Sequence, residues 1–176
     1  NVVRPKGFQV WNNNMLGANY ALDFGDPGHL LPVKLVGARN GSYSGKVVVG
    51  CDEPIRGLRA TVGALSAGAA TIPASAVRLR YGIAWGREAG VNGQRTIYRG
   101  SVPEFNCYPR RPTMLGALAD EPLGEFPVRT IGPGRDDLTL PGQAEPVHGA
   151  VVPVWITVDV PRDVPAGVFK GHVTIT

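Results

Sequence analysis

The sequence predicts an all-β fold: a two-sheet antiparallel sandwich, immunoglobulin-like or jelly-roll-like, with long loops. Three observations lead there. The 24 glycines and 16 prolines make up 40 of the 176 residues, nearly a quarter of the chain against about 12% in an average protein. These residues break helices and sit at turns and sheet edges, so the chain must be short strands joined by many turns. Two segments then alternate apolar and polar residues with the period of a half-buried strand, Ala76–Trp85 and Val151–Val160. The third observation is length. A chain of 176 residues fits one domain with a core of its own, and residues 1–176 are read as a single sandwich domain.

In chain order, the first thirty residues read as loop, with Asn12-Asn13-Asn14 and the turn-prone Asp26-Pro27-Gly28 around a short apolar piece, Phe8 to Trp11. Leu31–Val36 and Lys46–Val49 are strand-like, separated by a turn at Arg39-Asn40-Gly41-Ser42. Ile55–Val62 is a third strand, and Gly63–Ala70 a loop with at most one turn. In the next strand Val77, Leu79, Tyr81, Ile83 and Trp85 share the core face while Arg78 and Arg80 face water. Between Gly86 and Ala150 only Thr96–Tyr98 and Phe126–Ile131 look like strands, and a short helix is expected near Met114–Leu118. A stretch this long with so little pattern is expected to form the long loops at one end. At the end of the chain, Val152, Val154, Ile156, Val158 and Val160 fall on one face, with Trp155, Thr157 and Asp159 on the other. Pro161–Gly167 is a turn and Val168–Ile175 the return strand, so Val151–Ile175 reads as a β-hairpin.

Composition also narrows function. No apolar run approaches the ~18 residues a membrane span requires. The net charge of +4 and pI near 9.3 raise the question of nucleic acid. The densest basic spot, however, is only Arg110-Arg111 between Pro109 and Pro112, and there is no basic stripe, so no nucleic-acid partner is expected. Cys51 and Cys107 are equally compatible with one disulfide and with two buried small residues. With His29, His148 and His172 they make no metal-ligand spacing. Gly132-Pro133-Gly134 lacks the third glycine of a dinucleotide site, and no Gly-x-Ser-x-Gly elbow occurs. No metal or cofactor is therefore expected. Asp136-Asp137 and Glu121 with Glu125 are the nearest acidic pairs, and both read as solvated loop surface instead of the paired carboxylates of a glycosidase. No catalytic residue is assigned.

Three aromatic residues are the candidates for contact with a carbohydrate or a neighbouring domain: Trp11, Tyr98 and Trp155. Trp155 stands opposite the apolar face of its strand, and Trp11 and Tyr98 lie in weakly patterned sequence. Trp85, on an apolar face, is read as core. Asn40-Gly41-Ser42 also fits a glycosylation acceptor, a pattern common by chance.

The final segment, Trp155-Ile156-Thr157-Val158-Asp159-Val160-Pro161-Arg162-Asp163-Val164-Pro165-Ala166-Gly167-Val168-Phe169-Lys170-Gly171, resembles the closing hairpin of the N-terminal β-sandwich of glycoside hydrolase family 123 and its uncharacterised relatives. That pattern is a Trp-bearing strand, a Pro-containing turn ending in Ala-Gly, an aromatic residue and an early Gly in the return strand. Ala38–Val49 is similar to a second feature of those modules, an Arg-Asn turn followed by a strand, and Ile72-Pro73-Ala74-Ser75 to their short Pro-containing stretch. The chain departs from the pattern at Gly41 and Lys46, where the family often has an acidic residue and a Gln. The resemblance implies a non-catalytic accessory domain, secreted or at the cell surface, that packs on a downstream catalytic domain or helps hold polysaccharide. In that family hydrolysis of N-acetylhexosaminides belongs to an Asp–Glu pair in a separate barrel, which uses the substrate's own acetamido group, and no residue here corresponds to that pair. On this reading the chain, opening at Asn1 and ending on the strand-like His172–Thr176, is trimmed from a longer multidomain protein. The alternative is a free-standing carbohydrate-binding or adhesion module.

Overall fold

A computed structural model describes residues 4–20, 23–25, 27–84, 115–128 and 149–176. The fold is all-β, and among the described residues every strand pair is antiparallel. In chain order the strands are β1 (Gln9–Asn12), β2 (Ser42–Cys51), β3 (Ile55–Arg56), β4 (Ala60–Val62), β5 (Leu65–Ala67) and β6 (Ala70–Ile72). They continue with β7 (Val77–Ile83), β8 (Ala117–Ala119), β9 (Glu125–Phe126), β10 (Ala150–Asp159) and β11 (Val173–Ile175). The main sheet has five strands in the order β1-β2-β10-β7-β8. Three two-stranded sheets, β11-β4, β3-β9 and β5-β6, contribute the apolar side chains that pack with one of its faces.

The two alternating segments supply the centre of the main sheet. β10 pairs with β2 along its whole length, from Ala150↔Cys51 to Asp159↔Ser42, and with β7 from Val154↔Tyr81 to Val158↔Val77. This register puts Val152, Val154, Ile156 and Val158 beside Val47, Val49, Tyr81 and Val77 on the inner face. There they meet Ile55, Leu58 and Phe126 in one cluster and Ile72 and Val164 in another. Val49, Val152 and Val154 are fully buried. Valine fits this site twice over: its branched side chain is already stiff in an extended backbone, and each one buried contributes about 1.5–3 kcal/mol. The Tyr81 hydroxyl accepts the Ala60 N–H at 3.1 Å and so ties the layers together.

Five sequence expectations need correction. First, β11 is not the hairpin partner of β10. Both edges of β10 are already taken, by β2 and β7, so the chain after Pro161–Gly167 crosses to the other layer and pairs with β4, Val173↔Val62 to Ile175↔Ala60. Val164, in the connection, is buried in the second cluster. Second, Gly63–Ala70 is not a loop: it contributes most of the β5–β6 hairpin, turning at Gly68, whose φ of 60° suits glycine. Third, the described part of Met114–Leu118 is extended, not helical, and Ala117–Ala119 pairs with β7 as an edge strand. Fourth, Leu31–Val36 is not a strand and joins no ladder. Its Val33 and Leu35 pack against the core, and Pro32 has no N–H to give. Fifth, Ile55–Val62 is split in two at Gly57. The turn at Arg39–Ser42 is as read, with Asn40 in the left-handed region at φ 60° and its N–H on the Val160 carbonyl at 2.9 Å. Trp85, Thr96–Tyr98 and residues 129–131 lie outside the described residues.

Candidate functional site

The outer face of the five-stranded sheet changes character along its strands. Ladder pairing stacks its side chains into rows. One row runs Trp11, Val48, Pro153; the next is Lys46, Trp155, Arg80; then Ser44, Thr157, Arg78; and last Ser42 and Asp159. The first row is apolar and closed over: Trp11, Val48 and Val151 form a third core cluster with Leu115 against it. The remaining rows are polar except for one indole ring.

Residues 4–8 before β1, and 13–20 and 23–25 after it, form an arm associated with the closed half of this face, and ionic groups fasten it. Arg4, 4% exposed, donates to the Asp23 carbonyl at 2.7 Å, and its guanidinium lies 5.7 Å from the Phe24 ring centroid. The Asp23 carboxylate accepts the Tyr20 N–H at 2.8 Å. Burial raises the Asp23 pKa; the Tyr20 N–H, the nearby Asn19 amide and the charges of Arg4 and Lys46 oppose it. Lys46 comes up from the sheet to meet the arm. It is 3% exposed, and its ammonium donates to the Gly17 carbonyl. Burial pushes the Lys46 pKa down against the pull of Asp23. A lysine is held buried here because its stem packs while its head finds a carbonyl acceptor and a carboxylate field.

The same ammonium sits 5.3 Å from the centroid of the Trp155 ring, a cation–π contact. Trp155 is half-buried, with Lys46 across the ladder on one side and Arg80 on the other. Below it Ser44 and Thr157 share a hydrogen bond of 2.8 Å. Arg78 pairs with Asp159, Nε to Oδ2, at 3.3 Å, and the Ser42 hydroxyl also donates to Asp159. Arg80 differs: it makes no hydrogen bond or ion pair among the described residues, and its Nε is buried without a partner. Thr157 is buried and its hydroxyl is taken by Ser44, so the open groups of this shelf are the half-buried Trp155 ring, Ser44 and the charged side chains of Arg78, Asp159 and Arg80.

The Asp159 carboxyl is held below its ordinary pKa, first by the Ser42 hydroxyl and then by Arg78. A depressed carboxyl stabilises the fold above the ordinary carboxylate range, and that contribution is lost as pH falls through the folded value. Ser42→Ala is expected to move the Asp159 titration upward towards the ordinary aspartate value of 3.8, read from its side-chain carbon shift in an NMR pH series. An unmoved midpoint would show that Arg78 alone sets it.

No family model and no curated protein matches the chain. Among solved structures, a family 123 glycoside hydrolase from Clostridium perfringens, studied for glycolipid glycan hydrolysis, is similar with a TM-score of 0.40 and 11% identity. The match covers 78% of this chain, which spans 18% of the length of that structure.

Of the residues singled out in the sequence, Trp11 and Trp155 share the outer face, one row apart along β2, with different surroundings. Trp11 is 5% exposed inside a core cluster, and Trp155 stands on the shelf. Tyr98 lies outside the described residues. The sequence reading missed Lys46 and Arg80. Arg80 carries a signal, its place opposite the apolar face of β7, but that signal by itself says only that the position is wetted. Lys46 had none, since its contact with Gly17 spans 29 residues.

Elsewhere, an open cleft of about 420 Å³ is bordered by Gly57, Arg59, Tyr81, Glu121 and Leu123. Glu121 is exposed, and Glu125 pairs with Arg56 at 2.8 Å. Cys51 carries a free thiol, while Cys107, Asp136-Asp137, Arg110-Arg111 and residues 132–134 lie outside the described residues. Among the described residues no helix is long and apolar enough to cross a membrane, and no group of three His, Cys, Asp or Glu side chains could hold a metal.

Proposed function

We propose that this chain is a non-catalytic accessory β-sandwich domain of a larger, secreted or cell-surface glycoside hydrolase, packing on a downstream catalytic domain and helping to hold polysaccharide through the Trp155 shelf. The link to such an enzyme is the motif resemblance from Trp155 to Gly171. The observation that carries the binding role is the placement of Trp155 in the row Lys46, Trp155, Arg80, over the Ser44–Thr157 hydroxyl pair. A flat ring flanked by hydrogen-bonding groups suits a pyranose, which has an apolar face and a polar rim. The turn that accepts Lys46 also exposes Met15 and Leu16, the latter 87% exposed, beside the same shelf. An apolar turn next to a polar binding surface favours a neighbouring domain closing on one side of the sugar, where ligand sites commonly form.

Two measurements test this reading. Trp155→Ala is expected to weaken retention on the bound polysaccharide by roughly 30-fold, on the order of 2 kcal/mol for a central aromatic contact, with little change in melting temperature. Equal retention by the variant removes Trp155 from the site. The reading frame beyond Thr176 is expected to encode a barrel-length domain with an adjacent Asp–Glu pair. A frame that instead enters a surface anchor selects the adhesion-module alternative.

A further inference from the structure

We propose that the Trp155 shelf selects a carboxylated saccharide, a uronate or a sugar of like charge, and that Arg80 is the residue that binds the carboxylate. The inference rests on the polysaccharide reading of the same surface and adds the ligand's charge.

Three cations stand on the polar half of the outer face, and two are already engaged. Lys46 donates to the Gly17 carbonyl in the field of Asp23, and Arg78 pairs with Asp159. Arg80 has no acceptor among the described residues. A guanidinium is a planar fork built for two parallel hydrogen bonds to a carboxylate, and it keeps its charge at every working pH. The Arg80 Nε is buried without a partner among the described residues, so it is the Nη end of the fork that a carboxylate from outside would meet. Its position fits a sugar acid in particular. Arg80 and Trp155 are directly paired across the β7–β10 ladder, so their Cβ atoms lie about 4.5–5.5 Å apart on one face. Lys46, on β2, takes one side of the ring, which leaves the other side towards β7 and Arg80. A pyranose stacked there holds its ring carboxylate within reach of the fork and its hydroxyls towards Ser44. The net charge of +4 attracts an anionic polymer from a distance. Nucleic acid fits less well, since it calls for successive stacking rings and a tracked row of free cations, whereas this shelf has one ring and one free guanidinium.

The test is affinity electrophoresis of the whole chain in gels containing polygalacturonate, alginate or hyaluronan, each beside its carboxyl-reduced neutral form, with single-stranded oligothymidine as a further probe. The unaltered chain is expected to bind at least one of the acidic polymers ten-fold or more tighter than its reduced counterpart. Arg80→Gln is expected to erase that difference, bringing binding of the acidic form down to that of the neutral one measured with the same variant. Arg80→Lys, which keeps charge but not the fork, is expected to recover only part of it, and thermal melts establish that both variants fold. Preference for the neutral forms, an Arg80→Gln chain with undiminished preference for the acid, or tighter binding of oligothymidine overturns the proposal. Neutral binding without acid preference overturns it while leaving the polysaccharide reading intact, and binding of none of the polymers overturns both.

Discussion

Trp11→Ala is expected to destabilise the chain by about 3–5 kcal/mol, the range for removing a buried large aromatic side chain, and to lower its melting temperature by roughly 10 °C or more. The size follows from how the ring is held. Trp11 packs on Val48 and Val151, with Leu115 against them, and Val48 is fully buried in a strand paired on both edges. Such a floor cannot rise to fill a hole, so the cavity term is paid nearly in full. Two glycines record the same tightness. A Cβ on Gly25 would lie 2.1 Å from Trp11 Cδ1, and one on Gly50 2.6 Å from Cζ3. The ring occupies the space where both side chains would begin, so Gly25→Ala should also destabilise, by overpacking. Denaturant titration by circular dichroism reads both variants. A loss under about 1 kcal/mol for Trp11→Ala, the size of an ordinary surface change, would mean that the arm does not clamp the ring. Trp155→Ala is the contrast: loss of binding with little loss of stability.

The two tryptophans also mark how far sequence reading reaches. Strand alternation places Trp155, Thr157 and Asp159 on the face opposite the valines of β10, and Arg78 and Arg80 opposite Val77, Leu79 and Tyr81 of β7, and the ladder agrees. Alternation needs several residues of contrast, however. The β5–β6 hairpin is Leu, Ser, Ala and Thr around Gly68, with almost no contrast to read, and Ala117–Ala119 is as apolar as a helical turn. In β2 only Lys46–Val49 stood out, because Ser42, Ser44 and Gly45 have no apolar signature; pairing with β10 carries the strand through them. The missed crossover of β11 has a different origin. A strand's own sequence does not say whether the edges of its neighbour are free, and β10 had none to offer. The same limit hid the shelf. Its row joins β2, β10 and β7, whose middle residues are separated by tens of positions, so Lys46, Trp155 and Arg80 become neighbours only once the strand order is known.

Lys46→Ala is expected to cost about 2–4 kcal/mol, because one side chain joins the arm to the shelf. Removing it takes away a charge-assisted hydrogen bond to the Gly17 carbonyl, about 1.5–3 kcal/mol, and the packing of its buried stem, about 0.8 kcal/mol per methylene. Relief from holding a charge out of water offsets part of this. Lys46→Met restores the stem without the ammonium and should fall between the two. The pH dependence separates the contributions. Burial lowers the Lys46 pKa from 10.5, so the unfolded chain binds more protons than the folded one between the lowered value and 10.5. Stability must therefore rise with pH through that window, and it should do so in the unaltered chain more than in Lys46→Met. Two local signals accompany the change. Trp155 loses its cation–π partner, so its fluorescence should shift, and backbone exchange should quicken in the turn around Gly17, whose acceptor contact to the sheet is gone. A Lys46→Ala chain with unaltered Trp155 emission and unaltered exchange at Gly17 would separate arm from shelf. The polar half of the face would then have to be rigid by its own ladder pairing alone.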